Sequence, residues 1–559
     1  MTTKRLIARM AFPLYLAAAA VFLVLQSLQG LSFLDIGMYM AGYRHFNGDP
    51  WSCYYLGQWF LTYKFTGALC SLFGVQSFFG IRLMAVGLNV IMQTAIYLYL
   101  KRFIPRRHII AGLALATLAS FGSYTDINYN DYSAALLAVA IMAYHSGAFA
   151  SRRPWLVVVS GAVVGIAFFF RAVNLTFIAL PLLAMALSSV YGALIRPLRQ
   201  LTLFAAGCAA GCAAVLTGSW ADGSLPILRQ TATDIVAISG STDDPHSIKA
   251  IIIGLYTTWK GYLTGFAPVA VLTALMVLAG RRLKGKARQC AIMVTAAAIV
   301  PCIYLWEPPA NITAGISLAG AAFLLARPKS SDNSDSIMAL SMLIPLVFPI
   351  GSNGGPAFFG QQIGYLSVPL ALATVTRATP AMRRQLADAY PTALRTAYAA
   401  ICLSLLLSNL RRPLMEDGTR YECRHTVNSS TTGPILTTSA NADLHNYMLN
   451  KVKPLVPDNS YLICNFSTPL ISIMHCKPFA VFSDVFTSDA MNTRYIAIAH
   501  QRAGGGGHMP MLLLDRQTMT SGFMHVEKEL KAIAPYRTLW TDGRYELLAP
   551  QQAKCSRNK

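Results

Sequence analysis

Runs of roughly 17–25 mostly apolar residues recur through the first three quarters of the chain, the length a helix needs to cross the hydrocarbon core of a bilayer. They fall near 11–30, 80–100, 108–122, 132–150, 155–170, 174–194, 201–220, 255–280, 289–305, 310–326, 336–350, 362–378 and 392–410. This pattern predicts a polytopic α-helical membrane protein with about 13 transmembrane helices over residues 1–410. The pattern changes near residue 414. Stretches 443–456 and 526–533 read as helices, and 461–464 and 509–514 as strands. Stretch 536–548 reads as two short strands around the turn Asp542-Gly543. Residues 414–559 are therefore expected to form a small C-terminal α/β domain. The glycine run 504–507 reads as a flexible loop, since it lacks the lysine and the strand–helix context of a phosphate loop.

Composition supports the membrane reading. Of 559 residues, 54% are hydrophobic and 13% charged, where a soluble domain carries about 25% charged residues. A soluble helical core is set aside because the apolar runs are too many and too free of charge. The net charge of +22 raises the question of nucleic acid, but its distribution gives a different answer. Alternate loops are basic: Lys4/Arg5/Arg9, Lys101/Arg102/Arg106/Arg107, Arg152/Arg153, Arg196/Arg199, Arg281/Arg282/Lys284/Lys286/Arg288, Arg327/Lys329 and Arg377/Arg383/Arg384. The intervening loops hold only Arg44, Lys64, Arg82, Arg171, Arg229, Lys249 and Lys260. The positive-inside bias then puts the N-terminus in the cytoplasm and the C-terminal domain outside, as an extracytoplasmic unit. The charge sets topology and attracts anionic membrane lipid, and no nucleic-acid partner is expected. The compact loops and basic inner segments suit a bacterial inner membrane. The first segment, basic and then apolar, reads as an uncleaved anchor.

Acids run the opposite way. Asp35, Asp49, Asp126, Asp131, Asp222, Asp234, Asp243, Asp244 and Glu307 fall in outer loops, against Asp332, Asp335 and Asp388 in inner ones. Asp35 follows the first apolar run by about five residues and opens a loop over 31–78. An acid fixed at a membrane exit and facing a cavity is costly and usually functional. Asp35 and Tyr39 are four apart and share a face if the segment is helical. Around them stand Tyr43, Phe46, Trp51, Tyr54, Tyr55, Trp59, Phe60, Tyr63 and Phe65, with Asp49 and Lys64 among them. The aromatics suit short interfacial helices or a membrane-anchoring belt.

Other outer segments offer candidate chemistry. Residues 123–132 gather Asp126, Asn128, Asn130 and Asp131, oxygen-bearing groups suited to a divalent metal such as Mg or Mn, or to sugar hydroxyls. Asp35, Asp126 and Asp131 are the metal candidates. Arg171 ends an apolar run, where it either snorkels to the interface or grips a phosphate. Arg229, His246 and Lys249 lie in a second long outer loop, and Gln361 follows the helix-breaking stretch 349–356. Six cysteines lie in or near apolar runs as packing residues. Cys423, Cys464, Cys476 and Cys555 are in the tail, where one or two disulfides are expected, with connectivity open.

With these pieces the chain resembles the GT-C superfamily of membrane glycosyltransferases, whose sugar donor is a polyprenyl-phosphate lipid. The likeness covers the run of spans, the long first outer loop, Asp35 with Tyr39, Phe170-Arg171 and the terminal outer domain. It implies that Asp35 is the catalytic base or a metal-site acid; Tyr39, Asp49, Lys64, Asp126, Asn130, Asp131, Arg171, Arg229, His246, Lys249 and Gln361 are the candidate substrate-binding residues. It also implies an acceptor that is a cell-envelope glycan, a glycolipid such as the lipid A of lipopolysaccharide, or a protein. Family members often carry a second acid beside the first. Here Ile36 follows Asp35, so Asp49, Asp126 or Asp131 would substitute. The tail carries no Trp-Trp-Asp signature of oligosaccharyltransferases. A lipid-linked glycan flippase and a polysaccharide polymerase are the competing readings, ranked lower because no duplicated half is evident and the large domain is terminal.

Overall fold

Every one of the apolar runs folds at least partly as helix. The structure is a computed structural model that describes residues 3–31, 35–120, 126–151, 153–191, 197–239, 248–306, 309–326, 333–342, 356–377, 389–411, 414, 417–480 and 489–551. The first helices are Thr3–Ser27 (α1), Asp35–His45 (α2), Phe60–Phe73 (α3), Phe78–Leu100 (α4), Arg106–Ala119 (α5), Tyr129–His145 (α6) and Pro154–Phe170 (α7). Ala179–Tyr191, Pro197–Ala221, Ile248–Arg282, Gly285–Trp306, Pro309–Leu325, Asn333–Met342, Pro356–Thr376 and Ala389–Arg411 follow. Residues 343–350 of the eleventh run lie outside the described residues. Ile248–Arg282 has 35 residues, about 50 Å at 1.5 Å per residue. It therefore outreaches the bilayer core, and its first turns occupy what the sequence placed in a loop.

Among the described residues seven helices are long and apolar enough to cross a membrane, and four shorter apolar helices accompany them. Their outward faces are bare hydrocarbon: Leu198 and Trp220 are each 72% exposed, and Ile91, Met293 and Leu305 are exposed as well. A water-soluble protein does not leave so much contiguous apolar surface open. The chain is an integral membrane protein. Between helices the packing is close where side chains are small. Gly161 and Gly165 of α7 face Gly207 and Gly211 of Pro197–Ala221, and a Cβ on any of the four would overlap a backbone carbonyl of the other helix. Paired small-xxx-small stripes let two helix backbones approach this closely, which is how helices associate where no hydrophobic drive exists.

A second layer joins the first loop to the tail. The buried residues of α2, α3 and the tail strands, Tyr39 and Tyr63 with Leu462, Ile463 and Leu513 among them, belong to one apolar core, separate from the core between the membrane helices. In the tail, β1 (His425–Val427) and β2 (Ile435–Thr437) form a hairpin. A five-stranded sheet has the order β4-β3-β5-β7-β6, from β3 (Tyr461–Cys464), β4 (Lys477–Pro478), β5 (Met511–Asp515), β6 (Tyr536–Thr541) and β7 (Tyr545–Pro550). β4, β3 and β5 are parallel, and β7 and β6 complete the sheet antiparallel. The helix expected at 443–456 begins at Ser439 because Thr438 caps it, accepting from the Asn441 amide at 3.4 Å.

Two expectations change. The tail cysteines Cys423, Cys464 and Cys476 are buried free thiols, so no disulfide forms among the described residues; Cys555 lies outside them. Cys464 lies in strand β3, between β4 and β5, and Cys476 in the turn before β4, both as small hydrophobes. The glycine run is a defined turn: Gly504 to Gly507 have φ of 54°, 91°, 90° and 72°, a left-handed succession only glycine adopts readily.

Candidate functional site

The site begins with the strap of chain that leaves α1. The Leu436 amide of β2 donates to the Leu28 carbonyl at 2.7 Å, and Gly30 N–H returns a bond to the Leu436 carbonyl at 2.8 Å. Arg82 of α4 reaches the same strap. Its Nη1 donates to the carbonyls of Ser27 (3.0 Å) and Gln29 (3.2 Å), and its Nη2 to that of Gly30 (2.6 Å). Its Nε pairs with Asp126 Oδ1 at 2.8 Å, both side chains almost wholly buried. A charge in an apolar helix must find such partners. The Leu31 amide then donates to Asp417 Oδ2 at 2.7 Å. The chain is thus fixed on both sides just before α2.

Asp35 is the first residue of α2, and its side chain lies outside the described residues. α2 rests directly on the tail. A Cβ at Gly37 would overlap the backbone of Thr468 and Pro469, at the start of the short helix Pro469–Ile473. One turn after Asp35, Tyr39 is buried, and the Tyr43 hydroxyl donates to the Ile127 carbonyl at 2.5 Å. At the far end of α2 burial, then Arg44 and Lys477, push the His45 imidazole down to about 4.

Tyr39 faces a cluster drawn from three other segments. Its ring meets the Tyr129 ring edge-on at 6.2 Å, and Trp59 stacks on Tyr129 at 4.9 Å. The Arg171 guanidinium lies 5.1 Å from the centre of the Tyr129 ring, and its Nη1 donates to Asn130 Oδ1 at 2.8 Å. The sequence explains the meeting. Asn128 and Asp131 form a reciprocal capping box that starts α6 at Tyr129 and so presents Tyr129 and Asn130. Arg171 terminates α7 in extended conformation. Burial holds its guanidinium below its usual pKa, but it remains a cation at neutral pH. Burial pushes the Asp126 carboxyl up, while Arg82 pulls it back.

The expected site residues therefore separate into groups. Tyr39, Asn130 and Arg171 come together beside the helix that begins at Asp35. Asp126 is engaged by Arg82, and Asp131 caps its own helix. Among the described residues no three His, Cys, Asp or Glu side chains converge as a metal would need. Asp126 and Asp131, with those partners, do not fit the role of divalent-metal ligands. Asp49 accepts from the Tyr461 hydroxyl at 2.5 Å and ties the loop to β3. Lys64 pairs with Asp222 and donates to Ser224 Oγ at 2.8 Å. Arg229 and Lys249 are exposed on separate helices, Leu225–Ser239 and Ile248–Arg282. His246 lies outside the described residues, as does the side chain of Gln361, on helix Pro356–Thr376.

Sequence reasoning passed over three participants. Arg82 was counted as a loop cation, although an arginine at the start of an apolar run signals a buried partner. Tyr129 carries both Tyr39 and Arg171, and only the cap signature Asn128-x-x-Asp131 marks where it stands. Asp234, buried, receives the Tyr54 hydroxyl and pairs with Arg494 of the tail at 2.8 Å.

No family model and no curated protein matches the chain. Among solved structures it is similar to ArnT from Cupriavidus metallidurans in the apo state, at 14% identity, covering 97% of this chain and 100% of that one, with a TM-score of 0.48. The same protein bound to undecaprenyl phosphate gives 15% identity, 97% and 99% coverage and 0.45. The Archaeoglobus fulgidus oligosaccharyltransferase in complex with zinc and sulfate gives 14% identity, 96% of this chain, 73% of that one, and 0.46. At these values no residue of this chain is matched to theirs.

Proposed function

We propose that this chain is a GT-C-type glycosyltransferase that moves a sugar from a polyprenyl-phosphate donor to an acceptor hydroxyl at the outer face of the membrane. The observation that carries the reading is the meeting of Tyr39, one turn after Asp35, with the Tyr129 ring on which Arg171 also rests. An acid-bearing helix and a buried cation, more than 130 residues apart in sequence, share one aromatic wall.

In this reading the acceptor oxygen attacks the anomeric carbon and the bond from that carbon to the phosphate oxygen breaks. The bonding pair leaves with the polyprenyl phosphate. Asp35 takes the hydroxyl proton, a contribution of typically 10²–10⁴-fold for a positioned base. At the positive end of the α2 dipole a carboxylate is the favoured form. Arg171, positioned by Asn130, offsets the charge that grows on the leaving phosphate. Trp59, Tyr39 and Tyr129 supply aromatic faces for the sugar. A single displacement inverts the anomeric centre.

The test uses the full chain in nanodiscs with a polyprenyl-phosphate sugar labelled in the sugar. Transfer of label from lipid to an added envelope-glycan or lipid A acceptor supports the reading. Label that crosses the bilayer of a vesicle while still on its lipid identifies a flippase and overturns it.

A further inference from the structure

The tail contains a cavity of about 920 Å³ that the proposed transfer does not use. It opens at the end of the sheet where the parallel strands β3 and β5 begin, and Arg537 and Leu539 of the edge strand β6 form part of its wall. Its size falls at the upper end of the range of roughly 300–1,000 Å³ typical of small-molecule sites. The lining is one-sided in charge. Lys477, Arg537 and His508 belong to it and no acid does. Among the described residues neither Lys477 nor Arg537 is in an ion pair. Lys477 lies 5.7 Å from the centre of the Tyr461 ring, and the His508 ring stands at the same separation. The glycine turn completes the wall. Gly504 abuts the Tyr461 hydroxyl so closely that a Cβ there would overlap it. Gly504 opens the succession of four positive-φ residues that glycine adopts most readily.

The chemistry of the lining selects a ligand. Unpaired cations call for an anionic group. Beside the two cations, amide and hydroxyl side chains (Asn459, Ser460, Gln551) suit the hydroxyls of a sugar. We infer that this cavity binds the phosphate or carboxylate of an anionic saccharide and serves as a holding site for the acceptor glycan. The acceptor role rests on the transferase reading; the binding does not. Tyr461 connects the two layers, since its hydroxyl donates to Asp49 of the first loop.

Binding is read by isothermal titration of the full chain in phosphatidylcholine nanodiscs. Three probes are compared: a phosphorylated disaccharide, a disaccharide carrying a uronic acid, and the uncharged parent. At least one anionic probe should bind about tenfold or more tighter than the parent, the scale of one charge-assisted hydrogen bond. Which of them binds separates phosphate from carboxylate. Lys477→Ala and Arg537→Ala, both in the cavity lining, should each weaken that probe about tenfold. Arg537→Lys should retain most of the affinity. Equal binding of charged and uncharged probes, or an unaffected Lys477→Ala/Arg537→Ala double variant, overturns the proposal. Because the titration is repeated in Asp35→Asn protein, loss of transfer with binding intact sinks neither claim by way of the other.

Discussion

Arg82→Met removes the guanidinium that closes the strap ahead of α2. Arg82 makes one charge-assisted bond to Asp126 and three to the carbonyls of residues 27, 29 and 30. Both ionic partners are at most 4% exposed, so solvent neither screens the pair nor replaces it. Breaking a buried pair by deleting one partner costs about 3–5 kcal/mol, mostly the penalty of the carboxylate left alone. The three carbonyls add to that where no water reaches them. A second variant separates the two parts. Arg82→Met with Asp126→Leu removes the stranded charge and should recover about half of the loss, leaving the carbonyl part. Acid should have the same effect. Without Arg82 nothing pulls the Asp126 carboxyl back from the rise that burial imposes. Its folded pKa then lies above the unfolded value of 3.8, the native state binds more protons in between, and stability is lost as pH rises through that window. The single variant should therefore approach the wild type as pH is lowered toward the unfolded value of 3.8. The assay is the thermal midpoint of purified protein in nanodiscs, with protease cleavage between residues 28 and 35 as a local readout. A single variant as stable as the wild type at pH 8, or a deficit that grows on acidification, refutes the reasoning.

Other outcomes follow from the same geometry. Gly165→Leu or Gly207→Leu drives a side chain into the facing backbone and should cost at least about 1–3 kcal/mol, seen as a lower thermal midpoint, whereas Gly218→Leu, with open space around it, should change little. Gly37→Val should separate α2 from Pro469–Ile473, abolishing transfer while the membrane helices stay folded, as limited proteolysis of the tail would report. The His45 imidazole is held at about 4 against 6.5 unfolded, so its contribution is present above 6.5 and lost as pH falls toward 4; hydrogen-exchange protection at α2, taken relative to the intrinsic rate at each pH, should fall over that window in wild type and not in His45→Gln.

Much of the helical frame was legible because a bilayer imposes length and apolarity on any segment that crosses it. Runs 80–100 and 155–170 coincide with Phe78–Leu100 and Pro154–Phe170 to within two residues. Strand 461–464 and the paired strands around Asp542-Gly543 were equally plain, since turn chemistry and β-branched or aromatic alternation are local signals. The helical periodicity of Asp35 and Tyr39 anticipated α2. What spacing cannot carry is which distant groups meet. Asp126 with Arg82, Asp49 with Tyr461, and Lys64 with Asp222 are long-range pairs that no local spacing announces. Cysteine count predicted disulfides from the compartment, but burial of Cys464 and Cys476 in the sheet layer separates thiols that a sequence shows only as an even number.

The central claim is that the carboxylate at position 35 removes the acceptor proton. It is tested most directly by the single-turnover rate of sugar transfer from a polyprenyl-phosphate donor in Asp35→Asn protein, with donor affinity measured alongside. A rate lowered by about 10²-fold or more with donor affinity retained is the expected result; transfer at the wild-type rate contradicts the claim.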